Sequence, residues 1–165
     1  MALRVLDNAS WGFDTNCFVC EPDNPRGLGI RYWHDEEGEV VVAELTLGRE
    51  FSGVPTYVHG GVVLAVLDEA MAWAAIAVAE RWAVVQHTAT TFDRPVRLDV
   101  AHRVEASIAG RDEASVTARA TIADPSGRVC ARAHARLAVM TAGRASAAVG
   151  RVGAEHTRYL RKGPS

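Results

Sequence analysis

The sequence predicts an α+β domain in which a curled antiparallel sheet wraps one long central helix. Three observations carry this. Residues 60–81 form one long apolar segment that reads as a helix. The other patterned segments all read as strands. The clearest of these, 128–140, alternates: Val129, Ala131, Ala133, Ala135, Leu137 and Val139 share one face, and Arg128, Arg132, His134 and Arg136 share the other. Alternation of this kind sets one face on a core and one towards water or a partner. One greasy helix and a run of antiparallel strands bury their apolar surface most simply when the sheet curls round the helix. Such a sheet leaves its edges open, which favours a dimer.

Residues 1–28 read as a lead-in that ends in the turn-rich loop Glu21-Pro22-Asp23-Asn24-Pro25-Arg26-Gly27. Strands are expected at about 29–35 and 39–47, joined by a turn at Glu36-Glu37-Gly38. Gly48, Gly53 and Pro55 mark a loop. The helix opens with Gly60-Gly61 and closes near Arg81; being apolar on nearly all faces, it is buried on most sides. Four strands come after it, at about 83–93, 98–109, 114–123 and 128–140, with turns at Gly110-Arg111-Asp112 and Asp124-Pro125-Ser126-Gly127. The expectation is one domain over 1–141 and a basic tail over 142–165, the tail a short helix or disordered.

Composition excludes several functions. The 165 residues carry 18 Lys+Arg against 20 Asp+Glu, a net charge of −2, and all but one of the 18 are Arg. The one Lys, Lys162, stands in the tail. No body lysine exists to form a Schiff base or to reach a nucleotide's phosphates, which excludes a pyridoxal enzyme and a P-loop NTPase. Arg144, Arg151, Arg158, Arg161 and Lys162 make the tail basic and leave the body acidic, which does not suit nucleic acid. Asp68 and Glu69 interrupt the longest apolar stretch, so no membrane span is expected. The N-terminus lacks a signal-peptide core, and reduced cysteines in the cytoplasm are expected. Cys17 and Cys20 form a C-x-x-C and Cys130 stands alone. With no second Cys pair and no ligand spacing among the histidines, no metal site is expected.

Two features of the helix can carry chemistry. Val58-His59-Gly60-Gly61 stands at its start, where the first N–H groups lack intrahelical partners and the macrodipole is positive. Such a turn can bind a carbonyl oxygen that is becoming an oxyanion; its plainer reading is a tight turn with a capping His. Asp68 lies mid-helix among small or slender neighbours, including Gly61, Ala65 and Ala72. A desolvated Asp there is a better general base; its plainer reading, shared with Glu69, is a solvated stripe. Glu69 reads as packing or solvated, and as the first substitute if Asp68 is not the base. His59 and Asp68 are nine residues apart, about 13.5 Å of rise and half a turn. They cannot meet in one subunit, but two such helices about a two-fold axis could bring them together.

His59-Gly60-Gly61 with Asp68, the strand ending Phe92-Asp93-Arg94-Pro95-Val96, and the early Cys17-Phe18-Val19-Cys20 with Asn24-Pro25-Arg26-Gly27-Leu28 together resemble the hotdog-fold acyl-CoA thioesterases, and within them the phenylacetyl-CoA thioesterase-like branch. The resemblance covers roughly residues 14–140. It implies a helix wrapped by a curled sheet and a homodimer or dimer of dimers. It implies hydrolysis of an acyl-CoA to a carboxylate and free CoA, with no cofactor beyond the CoA of the substrate. Gly61 N–H, assisted by Gly60 and His59, would polarise the thioester carbonyl, and Asp68 of the opposing subunit would act as base or nucleophile. In some relatives a Thr or Ser on the next strand contributes. That position falls near Val85, with His87 and Thr88 nearby but out of register. Arg94 and Arg97 are candidate contacts for CoA phosphates, and Thr88 and Phe92 for the substrate. The alternatives are a non-catalytic acyl-CoA-binding protein and a hotdog hydratase or dehydratase. For the latter, Asp23-Asn24-Pro25-Arg26-Gly27 lacks the spacing and the His of the hydratase loop.

Overall fold

The computed structural model describes residues 2–162; the last three residues of the tail and Met1 lie outside the described residues. Seven strands form one antiparallel sheet: β1 (Leu3–Leu6), β2 (Tyr32–Asp35), β3 (Val40–Leu45), β6 (Ala83–Phe92), β7 (His102–Arg111), β8 (Ser115–Ala123) and β9 (Val129–Val139). Their order is β1-β2-β3-β7-β8-β9-β6, so β1 and β6 are the edges. Two short strands, β4 (Ser52–Val54) and β5 (Tyr57–Val58), make a separate hairpin.

The central helix α1 (Gly60–Ala77) lies in the curl of the sheet. Val63, Val66, Leu67, Ala70, Met71, Trp73, Ala74 and Ala75 are buried. They meet the inward residues of β7, β8 and β9, among them Val104, Ala118, Ile122 and Leu137. By length and mean hydropathy, 1.6, α1 would be long enough to cross a bilayer, but here the sheet takes its apolar side. Leu64, Ala65, Asp68, Glu69 and Ala72 are only half-buried and run along its outer side.

Several elements depart from the sequence expectation. The lead-in contributes β1, which pairs antiparallel with β2; four residues at a sheet edge are too short to announce themselves by periodicity. The helix stops at Ala77 rather than near Arg81, because Glu80 adopts the left-handed region at φ 54°. The strand expected from 98 begins at His102. The residues before it are pinned as irregular backbone, with Val58 N–H on Val96 O at 2.9 Å and Leu98 N–H on Thr56 O at 3.1 Å. The tail forms α2 (Ala142–Val149) and a 3-10 turn over Ala154–Tyr159. Tyr159 is buried against Trp11, and His156 stacks on Trp11 with ring centroids 5.1 Å apart.

Candidate functional site

The start of α1 is held from three directions. His59 N–H donates to Phe51 O at 2.9 Å, Val58 is tied to Val96, and a bridge joins Tyr57 to Arg97. Gly53 of β4 packs on the cap so closely that a Cβ added there would stand 3.0 Å from His59 Cα. In the sequence Gly53 reads only as a loop marker.

His59 is the N-cap, and its Nδ1 accepts the Gly61 N–H at 2.9 Å. An imidazole that accepts at Nδ1 while neutral carries its proton on Nε2, so His59 keeps a donor for a ligand. The same bond corrects one expectation: the Gly61 N–H is already taken. The donor left over is the Gly60 N–H, at the first helical position, which makes no hydrogen bond among the described residues.

The two residues that carry these donors line a cleft of ≈ 580 Å³. Val58, Val63 and Val96 give it apolar surface, His59 and Gly60 line one side, and Phe92 and Arg94 line another. Arg94 Nη1 donates to Val129 O at 2.9 Å, which anchors its guanidinium at the cleft's rim. Arg94 also lines an adjoining cleft of ≈ 240 Å³ together with Arg97, His102 and Arg128. Arg128 is paired with Asp124 at 2.8 Å. No carboxylate forms an ion pair with Arg94 or Arg97 among the described residues.

Asp68 does not line this cleft. It lies in the third turn of α1, half-buried, and burial alone raises its carboxyl above the usual Asp range. The structure thus brings His59, Gly60, Phe92 and Arg94 together within one chain and leaves Asp68 apart.

The strand after α1 also differs from a regular reading. Val85 pairs with Leu137 and His87 with Arg136, so Gln86 is a bulge. A bulge reverses the side-chain parity beyond it. Thr88 therefore sits opposite buried Ala135, on the same helix-facing side as Val85, instead of out of register with it. Thr90 lies opposite Ala133. The hydroxyls of Thr88 and Thr90 are both shielded from solvent and without a hydrogen-bond partner among the described residues.

Away from the cleft, the lead-in brings Cys17 and Cys20 to Glu69, with one donor atom of each within 4.8 Å of the others. Cys17 Sγ stands 3.5 Å from Glu69 Oε1. Burial pushes the Glu69 carboxyl up to about 7, so as a substitute for Asp68 it is engaged elsewhere. The sequence carries the C-x-x-C but no signal that Glu69, 52 residues from Cys17, completes the group.

Comparison with known proteins fits this architecture. Residues 56–131 match the family model of the thioesterase superfamily. A crystal structure named as a thioesterase superfamily protein superposes with a TM-score of 0.70 at 23% identity, over 75% of this chain and 60% of that one. The chain has the hotdog fold of the thioesterase superfamily. This hotdog chain spans 60% of the length of that relative. The Escherichia coli PaaI protein, from the phenylacetic acid degradation operon, superposes with a TM-score of 0.61 at 19% identity, over 68% of this chain and 80% of its own. A hypothetical thioesterase from Streptococcus pneumoniae, solved with coenzyme A, gives 0.58 at 15% identity, over 61% and 78%. Among curated proteins, none matches the sequence. At these identities the solved structures speak for the hotdog fold.

Proposed function

We propose that this hotdog protein is a thioester hydrolase that cleaves an acyl-CoA to a carboxylate and free CoA. The observation that carries the reading is the pair of donors at the start of α1, Gly60 N–H and His59 Nε2–H, on residues that line a cleft together with Arg94, with Arg97 beside Arg94 in the adjoining cleft. The thioester carbonyl accepts from the Gly60 N–H, and the helix N-terminus stabilises the oxyanion that forms. His59, with its tautomer set by Gly61, donates to the same oxygen. Arg94 and Arg97 meet the CoA phosphates, where a guanidinium can bond two oxygens at once.

In this reading the base is Asp68 of a second subunit. Edge strand β6 exposes Val84 and Phe92 and has no strand on its outer side among the described residues, which supports a two-fold pairing there. Asp68 takes a proton from water, the hydroxide adds to the carbonyl carbon, and the tetrahedral intermediate collapses by breaking the C–S bond. The CoA thiolate leaves and takes the proton back from Asp68. Thr88 stands at the hydroxyl position on the strand after the helix, its hydroxyl unpartnered and shielded in the single chain. The CoA-bound structure from Streptococcus pneumoniae supports a CoA ester as ligand.

The test is thiol release from a panel of aliphatic and aromatic acyl-CoAs, with and without Asp68→Asn. Release by the wild type and its loss in the variant are expected. No release from any thioester would overturn the hydrolase reading, and undiminished release by Asp68→Asn would overturn the base.

A further inference from the structure

The cluster of Cys17, Cys20 and Glu69 lies outside the proposed thioesterase site and is independent of that reading. Its parts are built to be close. The turn Cys17–Cys20 closes with Glu21 N–H on Cys17 O at 3.3 Å, while Leu28 N–H reaches Phe18 O at 2.7 Å and Ile30 N–H reaches Val19 O at 2.9 Å. Asn24 Nδ2 donates to Asn16 O at 2.9 Å, and a Cβ added at Gly27 would stand 2.7 Å from Phe18 O. The Asn24-Pro25-Arg26-Gly27 stretch, which the proposed hydrolysis leaves unused, thus braces the C-x-x-C turn.

The donor atoms have a coordinating geometry. Asn8 Nδ2 approaches Cys20 Sγ at 3.4 Å and Glu21 Oε2 at 3.3 Å, an outer layer of the kind that orients metal ligands. Zinc–sulfur and zinc–oxygen bonds of about 2.3 and 2.0 Å, at a tetrahedral angle, set sulfur and oxygen about 3.5 Å apart. Cys17 Sγ and Glu69 Oε1 are 3.5 Å apart.

We propose that Cys17, Cys20 and Glu69 bind one divalent cation of the zinc class through two thiolates and a carboxylate oxygen, with water as the fourth ligand. Two soft thiolates with one oxygen select zinc over magnesium or calcium, which take oxygen ligands. A dication held by all three donor atoms would join the lead-in to α1.

The test is titration of the full chain with cobalt(II) as a spectroscopic probe, under a phosphine reductant, with zinc competition afterwards. One cobalt per chain is expected, with a thiolate-to-cobalt charge-transfer band that zinc abolishes. Cys17→Ser and Cys20→Ser lose the band, and Cys130→Ser keeps it. Glu69→Gln retains both thiols and weakens cobalt binding at least about tenfold. It also serves as the decisive variant should the cysteine variants fail to fold. Absence of the band in the wild type, a full band in Cys20→Ser, or unchanged affinity in Glu69→Gln overturns the proposal.

Discussion

His59 Nδ1 holds the Gly61 N–H at 2.9 Å, so the residue that caps the helix also decides which of the two glycine N–H groups stays free beside the cleft. Cap and ligand contact can be separated. His59→Ala removes both and is expected to cost about 1 kcal/mol of stability, as capping losses do. It also lowers kcat/KM about 100-fold, the scale of losing one oxyanion donor. His59→Asn keeps an oxygen able to accept the Gly61 N–H, so it recovers stability in a denaturant melt without recovering kcat/KM. Equal recovery of both would reduce His59 to a cap.

Gly60→Ala and Gly61→Ala are expected to diverge for a related reason. A Cβ at Gly61 meets His59 Nδ1 at 3.1 Å and must push the ring away, whereas one at Gly60 meets Phe92 Cζ at an ordinary 3.7 Å. Gly61→Ala therefore lowers thermal stability more than Gly60→Ala does, a comparison that calorimetry reads directly.

Asp68 carries a carboxyl raised by burial. A folded-state pKa above the unfolded value favours the folded state below the unfolded pKa, and that contribution is lost as pH rises through the folded value. Asp68→Asn has no charge to desolvate, so its melting temperature gains on the wild type as pH rises from about 4 to about 8. In the same variant kcat falls at least about 100-fold, because a positioned base is gone. A variant that lost activity and stability together would point to misfolding instead.

Arg97 has no carboxylate partner among the described residues and sits beside Arg94 in the smaller cleft. Losing a charge-assisted contact to phosphate is worth about 1.5–3 kcal/mol, so Arg97→Ala is expected to raise KM for an acyl-CoA about tenfold or more. For the matching acyl-N-acetylcysteamine thioester, which lacks the phosphates, KM stays unchanged. An equal rise for both substrates would place Arg97 in cleft shape rather than phosphate binding.

Legibility in the sequence depends on the range of the interaction. The His59-Gly60-Gly61 turn, Asp68 and the alternation of β9 can be read because each signal repeats or completes within one element. That His59 occupies the Gly61 N–H cannot, since which donor a side chain takes is a matter of rotamer. The pairing of Cys17 with Glu69 is silent because proximity across 52 residues leaves no mark in either neighbourhood. Edge strand β1 is silent because four residues hold too few alternations to score.

The bulge at Gln86 reverses a conclusion drawn from correct parity. In a regular strand Thr88 faces away from Val85; with one extra residue it turns towards the helix. Its hydroxyl is buried without a partner among the described residues, and an unmet buried hydroxyl destabilises a fold. Thr88→Val keeps the shape and removes that group, so its melting temperature is expected to equal or exceed that of the wild type. If the hydroxyl holds the attacking water, kcat falls about tenfold or more while KM barely moves, and Thr88→Ser restores it. Unchanged kcat in Thr88→Val would leave the hydroxyl no part in hydrolysis. Deleting Gln86 would leave Thr88 two places after Val85 in a regular strand, still facing the helix opposite Ala135, so the deletion should keep the kcat that Thr88→Val loses.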